Sequence, residues 1–223
     1  MKPLCVICLF TIVSKIACNP TFVETTSGPI QGFISELNNK AVKAFLGIPF
    51  AQPPVGDLRF KKPKPVQPWT DTLQATEMPP ACIQYTECPF PWYDDMPGKR
   101  EDCLYLNIYT PIIATKGIKL PVMFWIHGGG FTVGSSRLDL YDPRALVQEG
   151  DVIVVTFNYR VDCLAFWTSN TEDAPGNVGV YDMVMALQWV NDNIEYFGGD
   201  KERITVFGES AGSIAISLFC VSP

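Results

Sequence analysis

The second half of the chain alternates short apolar runs with stretches of helical periodicity. Apolar residues dominate residues 104–110, 120–126 and 152–157, and the last of these runs carries β-branched residues on both faces. Runs of this length predict strands, and a run that is apolar on both faces predicts a buried parallel strand. Residues 203–207 predict a fourth strand, which leads through a glycine-flanked turn into a final helix from about Ala211.

Two further helices are predicted between these strands. Residues 143–148 can form a short helix, with Pro143 near its start and Gly150 just beyond its end. A longer helix is predicted over residues 179–197, where apolar residues recur at steps of three and four, namely Val180, Val184, Leu187, Val190 and Ile194. Strands that alternate with helices predict an α/β domain with a mainly parallel central sheet.

The first half of the chain has less regular patterning. Residues 21–46 alternate short apolar runs with turn residues, which predicts a small antiparallel meander. Residues 47–100 are rich in proline and lack a period, so we expect an extended coat over the core. Residues 1–18 combine a lysine, an apolar stretch too short to span a bilayer and a polar end, which is typical of a secretory signal peptide. The alternative for this leader is a buried N-terminal strand, and residues 19–223 are the expected domain.

Composition narrows the class of protein. Hydrophobic residues make up 47% of the chain and charged residues 18%, which predicts a packed globular protein rather than a disordered one. The formal net charge of −6 lacks the basic footprint of a nucleic-acid-binding protein, so no nucleic acid is expected as a partner. No run after the leader has the length of a membrane helix, and nothing in the sequence indicates an oligomeric state.

The cysteines argue against a metal centre and for a disulfide. Five cysteines follow the leader, and an odd count implies at least one free thiol or a partner elsewhere. They lack Cys-x-x-Cys spacing and the chain has one histidine, so no metal centre is expected, and no motif calls for a cofactor. In an oxidising compartment a disulfide is expected among Cys82, Cys88 and Cys103. Cys163 and Cys220 lie in strand-end and helix contexts and are expected to be buried thiols.

A candidate nucleophile follows the last predicted strand. Directly after residues 203–207 the chain reads Gly-Glu-Ser-Ala-Gly, and a helix follows at once. A serine between glycines is common in ordinary loops, but between a strand and a helix it predicts a sharp turn that exposes its hydroxyl. Strand and helix backbones approach closely at such a turn, and Gly208 and Gly212 supply the absence of bulk that this approach requires. Ser210 is therefore the candidate nucleophile.

A run of three glycines follows the predicted strand at residues 120–126. Consecutive glycines allow the backbone N–H groups of Gly129 and Gly130 to reach one oxygen without a Cβ in the way, and the N–H group of Ala211 is a third donor. A glycine run can also be only a tight turn, or a phosphate cradle. The phosphate interpretation needs a Gly-Lys-Ser/Thr ending or spaced glycines, and the chain has neither here. The run therefore predicts an oxyanion hole.

These stretches together resemble the carboxylesterase and cholinesterase family, the type-B carboxylesterases. The matching stretches run from just after the leader almost to Pro223, and they are residues 47–56, 58–60, 101–107, 127–130, 158–160, 176–182 and 207–212. The resemblance implies an α/β-hydrolase fold, with a mainly parallel central sheet, flanking helices and an N-terminal antiparallel meander. It also implies a serine esterase that forms an acyl-enzyme with a small carboxylic ester, and the leader predicts that this esterase is secreted or lies in the lumen of the secretory pathway.

The resemblance assigns roles to individual residues. Ser210 is the implied nucleophile, and the N–H groups of Gly129, Gly130 and Ala211 form the implied oxyanion hole. Glu209 resembles the carboxylate beside the nucleophile that shapes the acyl site in many members. Its alternative role is that of a helix N-terminal acid, which the helix dipole favours.

The resemblance also implies a disulfide and identifies two departures. Cys103 is implied to pair with an upstream cysteine, best matched by Cys82, while Cys88 is extra relative to the family pattern. Soon after the Asn-Tyr-Arg stretch the family usually has two glycines, where this chain has Asp162 and Ala165. If those positions need positive φ or close packing, each substitution destabilises the fold.

The single histidine is not the predicted base. In this fold the loop that contains His127 contributes the oxyanion hole, and the base follows the nucleophile and the acid in chain order. We expect His127 to orient the glycine loop by hydrogen bonds. Because family members are considerably longer, the acid and the histidine are expected beyond Pro223, and the chain is expected to be an N-terminal portion truncated after the nucleophile turn.

Two alternatives and the substrate stay open at this stage. The chain can be a catalytically inactive cholinesterase-like adhesion or binding protein, or a non-functional truncation product, although an intact serine turn and glycine run favour an esterase. Trp92 lies eleven residues before Cys103, near the position of an aromatic that binds a quaternary ammonium in cholinesterases. It can equally be a packing residue, so choline, lipid and xenobiotic esters all remain compatible.

Overall fold

The computed structural model describes residues 21–86, 96 and 98–221, and the predictions for the leader, Cys88 and Trp92 lie outside them. The strands are β1 (Phe22–Glu24), β2 (Pro29–Gln31), β3 (Phe33–Leu37), β4 (Lys40–Pro49), β5 (Leu73–Gln74), β6 (Tyr105–Pro111), β7 (Leu120–Ile126), β8 (Ile153–Phe157), β9 (Thr168–Thr171), β10 (Ala174–Pro175) and β11 (Gly199–Gly208). The helices are α1 (Arg144–Gly150), α2 (Cys163–Phe166), α3 (Val178–Asn193) and α4 (Ala211–Val221). Within the described residues, no helix combines the length and the apolar content that a bilayer crossing requires.

The central sheet is mixed, with its six strands in the order β11-β7-β8-β6-β4-β3. The pairings β11–β7 and β7–β8 are parallel, whereas β8–β6, β6–β4 and β4–β3 are antiparallel. The prediction of a mainly parallel sheet is therefore wrong for the described part of the chain. Strands β3 and β4 are joined by Asn38 and Asn39, with φ of 51° and 61°, and such a two-residue turn imposes antiparallel pairing. Parallel neighbours instead need a long crossover, which helices α1 and α3 supply.

The N-terminal strands form two separate hairpins. Strand β1 pairs antiparallel with β2, and β2 continues in parallel to β5 in a small three-stranded sheet. Strand β3 pairs antiparallel with β4 at the edge of the central sheet. The antiparallel pairings of residues 21–46 thus divide between two sheets instead of forming one continuous meander.

The core lies against both faces of the central strands. All residues of β8 are buried, as its apolar residues on both faces predict. Phe157 of β8 stacks on Phe124 of β7 with ring centroids 4.6 Å apart, and α3 adds Met183 and Val190 to the same cluster. The carboxyl ends of β7 and β8, at Ile126 and Phe157, are therefore part of the packed core.

Helix α3 confirms the predicted long helix but presents a different face to the core. The helix ends at Asn193, a 3₁₀ turn continues it over Ile194–Phe197, and Gly198 terminates it with φ of 91°. Val184, which the apolar period predicts to be buried, is 50% exposed, whereas the neighbouring Asp182 is fully buried. The orientation follows from a buried partner of Asp182 rather than from the apolar period. Helix α1 ends at Gly150, two residues later than predicted, and Asp151 follows it in a left-handed conformation at φ 48°.

Candidate active site

Ser210 lies in a strained turn between β11 and α4. The strand ends at Gly208 and the helix begins at Ala211, so Glu209 and Ser210 make the connection. Ser210 has φ of 52°, in the left-handed region that a residue with a side chain rarely adopts. Its side chain is exposed, and its hydroxyl donates to no group among the described residues. The turn therefore presents a free hydroxyl beyond the end of the sheet.

The two glycines that flank this turn allow the helix to approach β7. Gly208 pairs with Ile126, the last residue of β7. A Cβ on Gly208 would lie 2.8 Å from Ile126 O, and a Cβ on Gly212 would lie 2.1 Å from the same atom. Both distances are shorter than real Cβ contacts. Glycine is thus required at both positions because strand, turn and helix converge on one carbonyl.

The glycine loop continues from β7 with two of its carbonyls held. His127 Nδ1 donates to Gly128 O at 2.9 Å, and Val133 N donates to Gly129 O at 3.0 Å. In a planar trans peptide the N–H group points away from the preceding carbonyl. Holding the carbonyls of Gly128 and Gly129 therefore sets the directions of the N–H groups of Gly129 and Gly130.

The loop and the serine turn are in contact. A Cβ on Gly128 would lie 2.1 Å from Glu209 Oε2 and 2.8 Å from Glu209 O, so this glycine packs directly on Glu209. The N–H groups of Gly129, Gly130 and Ala211 donate no hydrogen bond within the described residues. The structure thus joins the glycine loop to the turn that carries Ser210 through the contact between Gly128 and Glu209.

His127 is buried beneath the glycine loop. Its ring stacks on Tyr159 at a centroid distance of 4.2 Å, and the Tyr159 hydroxyl donates to His127 O at 2.8 Å. Its Nε2 atom has no partner among the described residues. Burial lowers the pKa of His127 to about 4, so the ring is neutral at pH 7. With Nδ1 donating to Gly128 O, the histidine holds the loop.

Two buried amides that sequence reasoning missed hold the return end of the loop. Gln84 bonds both the N–H and the carbonyl of Gly134, at 2.7 and 2.8 Å. Asn158 Oδ1 accepts from Ser135 Oγ at 3.0 Å and from Ser136 N at 2.9 Å. Asn158 lies in a stretch that carries the family resemblance, but no local pattern marks Gln84, which belongs to the proline-rich coat.

A buried ion pair anchors the segment after β8 to α3. Arg160 Nε lies 2.8 Å from Asp182 Oδ2, and Arg160 Nη2 lies 2.7 Å from Asp182 Oδ1. The backbone N–H of Arg160 also donates to Asp182 Oδ2 at 3.0 Å. The fork geometry satisfies both carboxylate oxygens, which is what allows Asp182 to be buried on α3.

The two departures from the family glycines fall at demanding positions. Asp162 has φ of 56° and ψ of −147°, and its N–H donates to Phe131 O at 2.7 Å, next to the glycine loop. Ala165 is fully buried, and a Cβ on Gly179 would lie 2.9 Å from Ala165 Cβ. Asp162 thus occupies a conformation that favours glycine, and Ala165 a site of close packing.

The cysteines confirm one expectation and contradict another. Cys82 and Cys103 are joined by a disulfide with Cα atoms 5.0 Å apart, and both are buried. Cys163 and Cys220 are exposed, so the prediction of buried thiols is wrong. Cys163 is the first residue of the short helix α2, and Cys220 lies on an exposed face of the last turn of α4. Among the described residues, no group of three or more potential ligands is arranged to hold a metal ion.

Comparison with known proteins agrees with this geometry. The model of the carboxylesterase family matches residues 19–223. Acetylcholinesterase-1 of Trittame loki is 50% identical over 205 residues, which cover 90% of this chain and 37% of that protein. Acetylcholinesterase of Electrophorus electricus is 43% identical over 230 residues, which cover 99% of this chain and 36% of that protein. Liver carboxylesterase 1F of Rattus norvegicus is 43% identical over 215 residues, which cover 92% of this chain and 38% of that protein.

The chain therefore spans between 36 and 38% of the length of these relatives. The match covers the serine turn, the glycine loop and the disulfide, because all of them lie within residues 19–223. A family model that extends over this whole range, together with relatives at 43 to 50% identity, decides the classification. The chain belongs to the carboxylesterase family.

Proposed function

We propose that the protein is a serine carboxylic ester hydrolase and that Ser210 is its nucleophile. One observation carries the proposal: an exposed serine has a left-handed conformation in a strand-to-helix turn, and its neighbour Glu209 contacts a glycine loop with unused N–H groups. An adhesion protein of the same fold does not need this combination. No contact among the described residues favours the two alternatives, an inactive adhesion or binding protein and a non-functional truncation product.

The reaction proceeds through an acyl-enzyme. Ser210 Oγ attacks the ester carbonyl carbon while its proton passes to a general base, and the carbonyl oxygen becomes an oxyanion. The N–H groups of Gly129, Gly130 and Ala211 donate to that oxyanion, and each donor contributes about 3 kcal/mol in the transition state. Collapse of the tetrahedral intermediate expels the alcohol, which takes up the proton from the base. A water molecule then attacks the acyl carbon and releases the carboxylic acid and Ser210.

We assign the general base and the acid that orients it to residues outside the 223-residue sequence. The single histidine, His127, is buried, and its Nδ1 is engaged with Gly128 O. Its pKa of about 4 also makes it a weak proton acceptor compared with an ordinary histidine. The proposal is consistent with a chain that spans little more than a third of its relatives.

Glu209 is proposed to shape the acyl side of the site. It is exposed next to the nucleophile, and its carboxylate packs against Gly128 of the glycine loop. A carboxylate in this position also favours the N-terminus of α4 through the helix dipole. Both roles follow from the same placement between the loop and the helix.

The substrate class proposed is a small carboxylic ester, and the protein is proposed to be secreted. Choline, lipid and xenobiotic esters all remain candidates, because the relatives include acetylcholinesterases and a liver carboxylesterase. A Cys82–Cys103 disulfide supports passage through an oxidising compartment, which agrees with the proposed signal peptide at residues 1–18.

Covalent labelling tests the nucleophile. The protein at its natural length should react with a fluorophosphonate probe at Ser210, and Ser210→Ala should abolish both labelling and ester hydrolysis while keeping the fold. Ser217→Ala is the matched control, since Ser217 is an exposed serine on α4, the helix that follows Ser210, and this variant should label like the wild type. An adduct mapped by mass spectrometry to another serine would show that Ser210 is not the nucleophile.

A further inference from the structure

Gln84 makes a two-point contact with the end of the glycine loop. Its carboxamide Oε1 accepts from Gly134 N at 2.7 Å, and its Nε2 donates to Gly134 O at 2.8 Å. The same Nε2 also donates to Cys82 O at 3.0 Å. The side chain is 8% exposed, so water does not compete with these bonds. The Gln84 side chain thus satisfies both backbone groups of Gly134, as a neighbouring strand would do in a sheet.

Gly134 lies directly beneath the start of the loop. Its φ of 116° is accessible to glycine, and a Cβ there would lie 2.4 Å from His127 Nδ1 and 2.6 Å from Gly128 O. The backbone of Gly134 is therefore in contact with the hydrogen bond between His127 and Gly128. A shift of Gly134 must move that bond, because there is no free space between them.

The contact reaches the donors of the proposed oxyanion hole through planar peptides. The Gly128 carbonyl sets the direction of the Gly129 N–H, and it is held between His127 Nδ1 and Gly134. We propose that Gln84 is a positioning residue, which holds these N–H groups in place by fixing Gly134. The inference rests on the proposed function, because it concerns how the same site is held.

The disulfide acts on the same contact. Gln84 follows Cys82 by two residues, and Nε2 is bonded to the Cys82 carbonyl. Cys82 is joined to Cys103, which lies just before the central strand β6. The disulfide therefore anchors the segment that carries Gln84 to the sheet that carries the glycine loop. Its role includes the geometry of the loop as well as the stability of the fold.

Two variants of Gln84 test the proposal in the protein at its natural length. Gln84→Ala should lower kcat for a short-chain ester about 10- to 100-fold and leave KM within roughly threefold, since a displaced oxyanion donor affects the transition state more than the bound ester. In Gln84→Glu the ionised side chain accepts but cannot donate to Gly134 O. The ratio of its kcat to the wild-type kcat should therefore be low at pH 8 and rise as the pH falls and the carboxyl gains a proton.

Gln148→Glu is the matched control. Gln148 Nε2 also donates to two backbone carbonyls, those of Leu37 and Lys40, but it does so at the β3–β4 turn away from the loop. This variant should keep kcat near the wild-type value at every pH. A kcat ratio for Gln84→Glu that stays near one, or that is low but independent of pH, overturns the proposal, as does an equal loss in Gln148→Glu.

A second readout separates this inference from the proposed function. Amide hydrogen exchange of residues 128–134 should become faster in Gln84→Ala than in the wild type, while exchange in β8 stays unchanged. If the wild type neither hydrolyses esters nor reacts with a fluorophosphonate, the proposed function fails, and the exchange result alone then decides on Gln84. Unchanged exchange at residues 128–134 in Gln84→Ala rejects the positioning role.

Discussion

Two strand-to-helix turns, at Ser210 and at Asp162, have similar backbone geometry but differ in what their strained residue does. Each leads from the carboxyl end of a central strand into a helix, and each places a residue with a side chain at positive φ, namely Ser210 at 52° and Asp162 at 56°. The glycine loop touches both, because Gly128 packs on Glu209 and Phe131 O accepts from Asp162 N. The loop is thus held between two strained turns.

The difference lies in what each strained residue contributes. Ser210 presents an exposed hydroxyl in the turn that the glycine loop contacts through Glu209, so the strained backbone positions the proposed nucleophile. The Asp162 side chain is exposed and makes no hydrogen bond or ion pair with the described residues, so Asp162 acts only through its backbone, whose N–H donates to Phe131 O and whose carbonyl accepts from Ala165 N and Phe166 N. Strain that supports a reacting group must be kept, whereas strain at a residue used only through its backbone can be removed by glycine.

The largest expected effect is on activity, at Ser210. Ser210→Gly should raise the free energy of unfolding by about 1 kcal/mol, because glycine adopts positive φ without a Cβ penalty. It should lower kcat by roughly 10⁶-fold, since the nucleophile is gone. Denaturant unfolding and ester hydrolysis by the natural-length protein measure the two effects. Retained turnover at wild-type rates would contradict the comparison, because the strained serine would then have no chemical role.

The next largest effect is a loss of stability at low pH, which we expect from His127 in the glycine loop between the two turns. The pKa of His127 falls from 6.5 to about 4 on burial, so the unfolded state binds more protons between those values. The contribution of the neutral ring to the free energy of unfolding is therefore fully present above pH 6.5 and is lost as the pH falls towards 4. The loss amounts to about 3 kcal/mol of unfolding free energy.

A variant without the ring isolates this contribution. His127 is the single histidine, so the pH dependence of wild-type stability minus that of His127→Asn should reveal a slope confined to the window from 6.5 to about 4. Urea unfolding at several pH values provides the data. Identical pH profiles for the two proteins would mean that the histidine is not buried as a neutral group.

The smallest effect is expected at Asp162. Asp162→Gly should raise the free energy of unfolding by about 1 to 2 kcal/mol, because φ of 56° with ψ of −147° is a region that favours glycine. The N–H bond to Phe131 O is kept, so kcat should change less than about threefold. Asp151→Gly is the control, since Asp151 occupies the ordinary left-handed conformation after α1 and should gain less. Equal gains at Asp162 and Asp151 would show that Asp162 is no more strained than an ordinary left-handed residue.

The sequence alone determined the features whose physical requirements lie within a few consecutive residues. The serine turn needs glycine two positions before and after Ser210, and that need can be read from residues 208–212 and is met by the contacts with Ile126. The limits of β7 and the burial of β8 also follow from local runs of apolar residues. Local backbone geometry and strand patterning depend on neighbours in the chain, so short windows are sufficient for them.

Only the tertiary structure decided which distant polar groups meet and which faces are covered. Gln84 contacts Gly134 across 50 residues, and Arg160 pairs with Asp182 across 22, although neither pair has a local signal. The same is true of the exposed Cys163, of the orientation of α3 and of the antiparallel half of the central sheet. A buried polar group is stable only where a partner satisfies it, and that partner is determined by the packing of whole strands and helices rather than by the adjoining sequence.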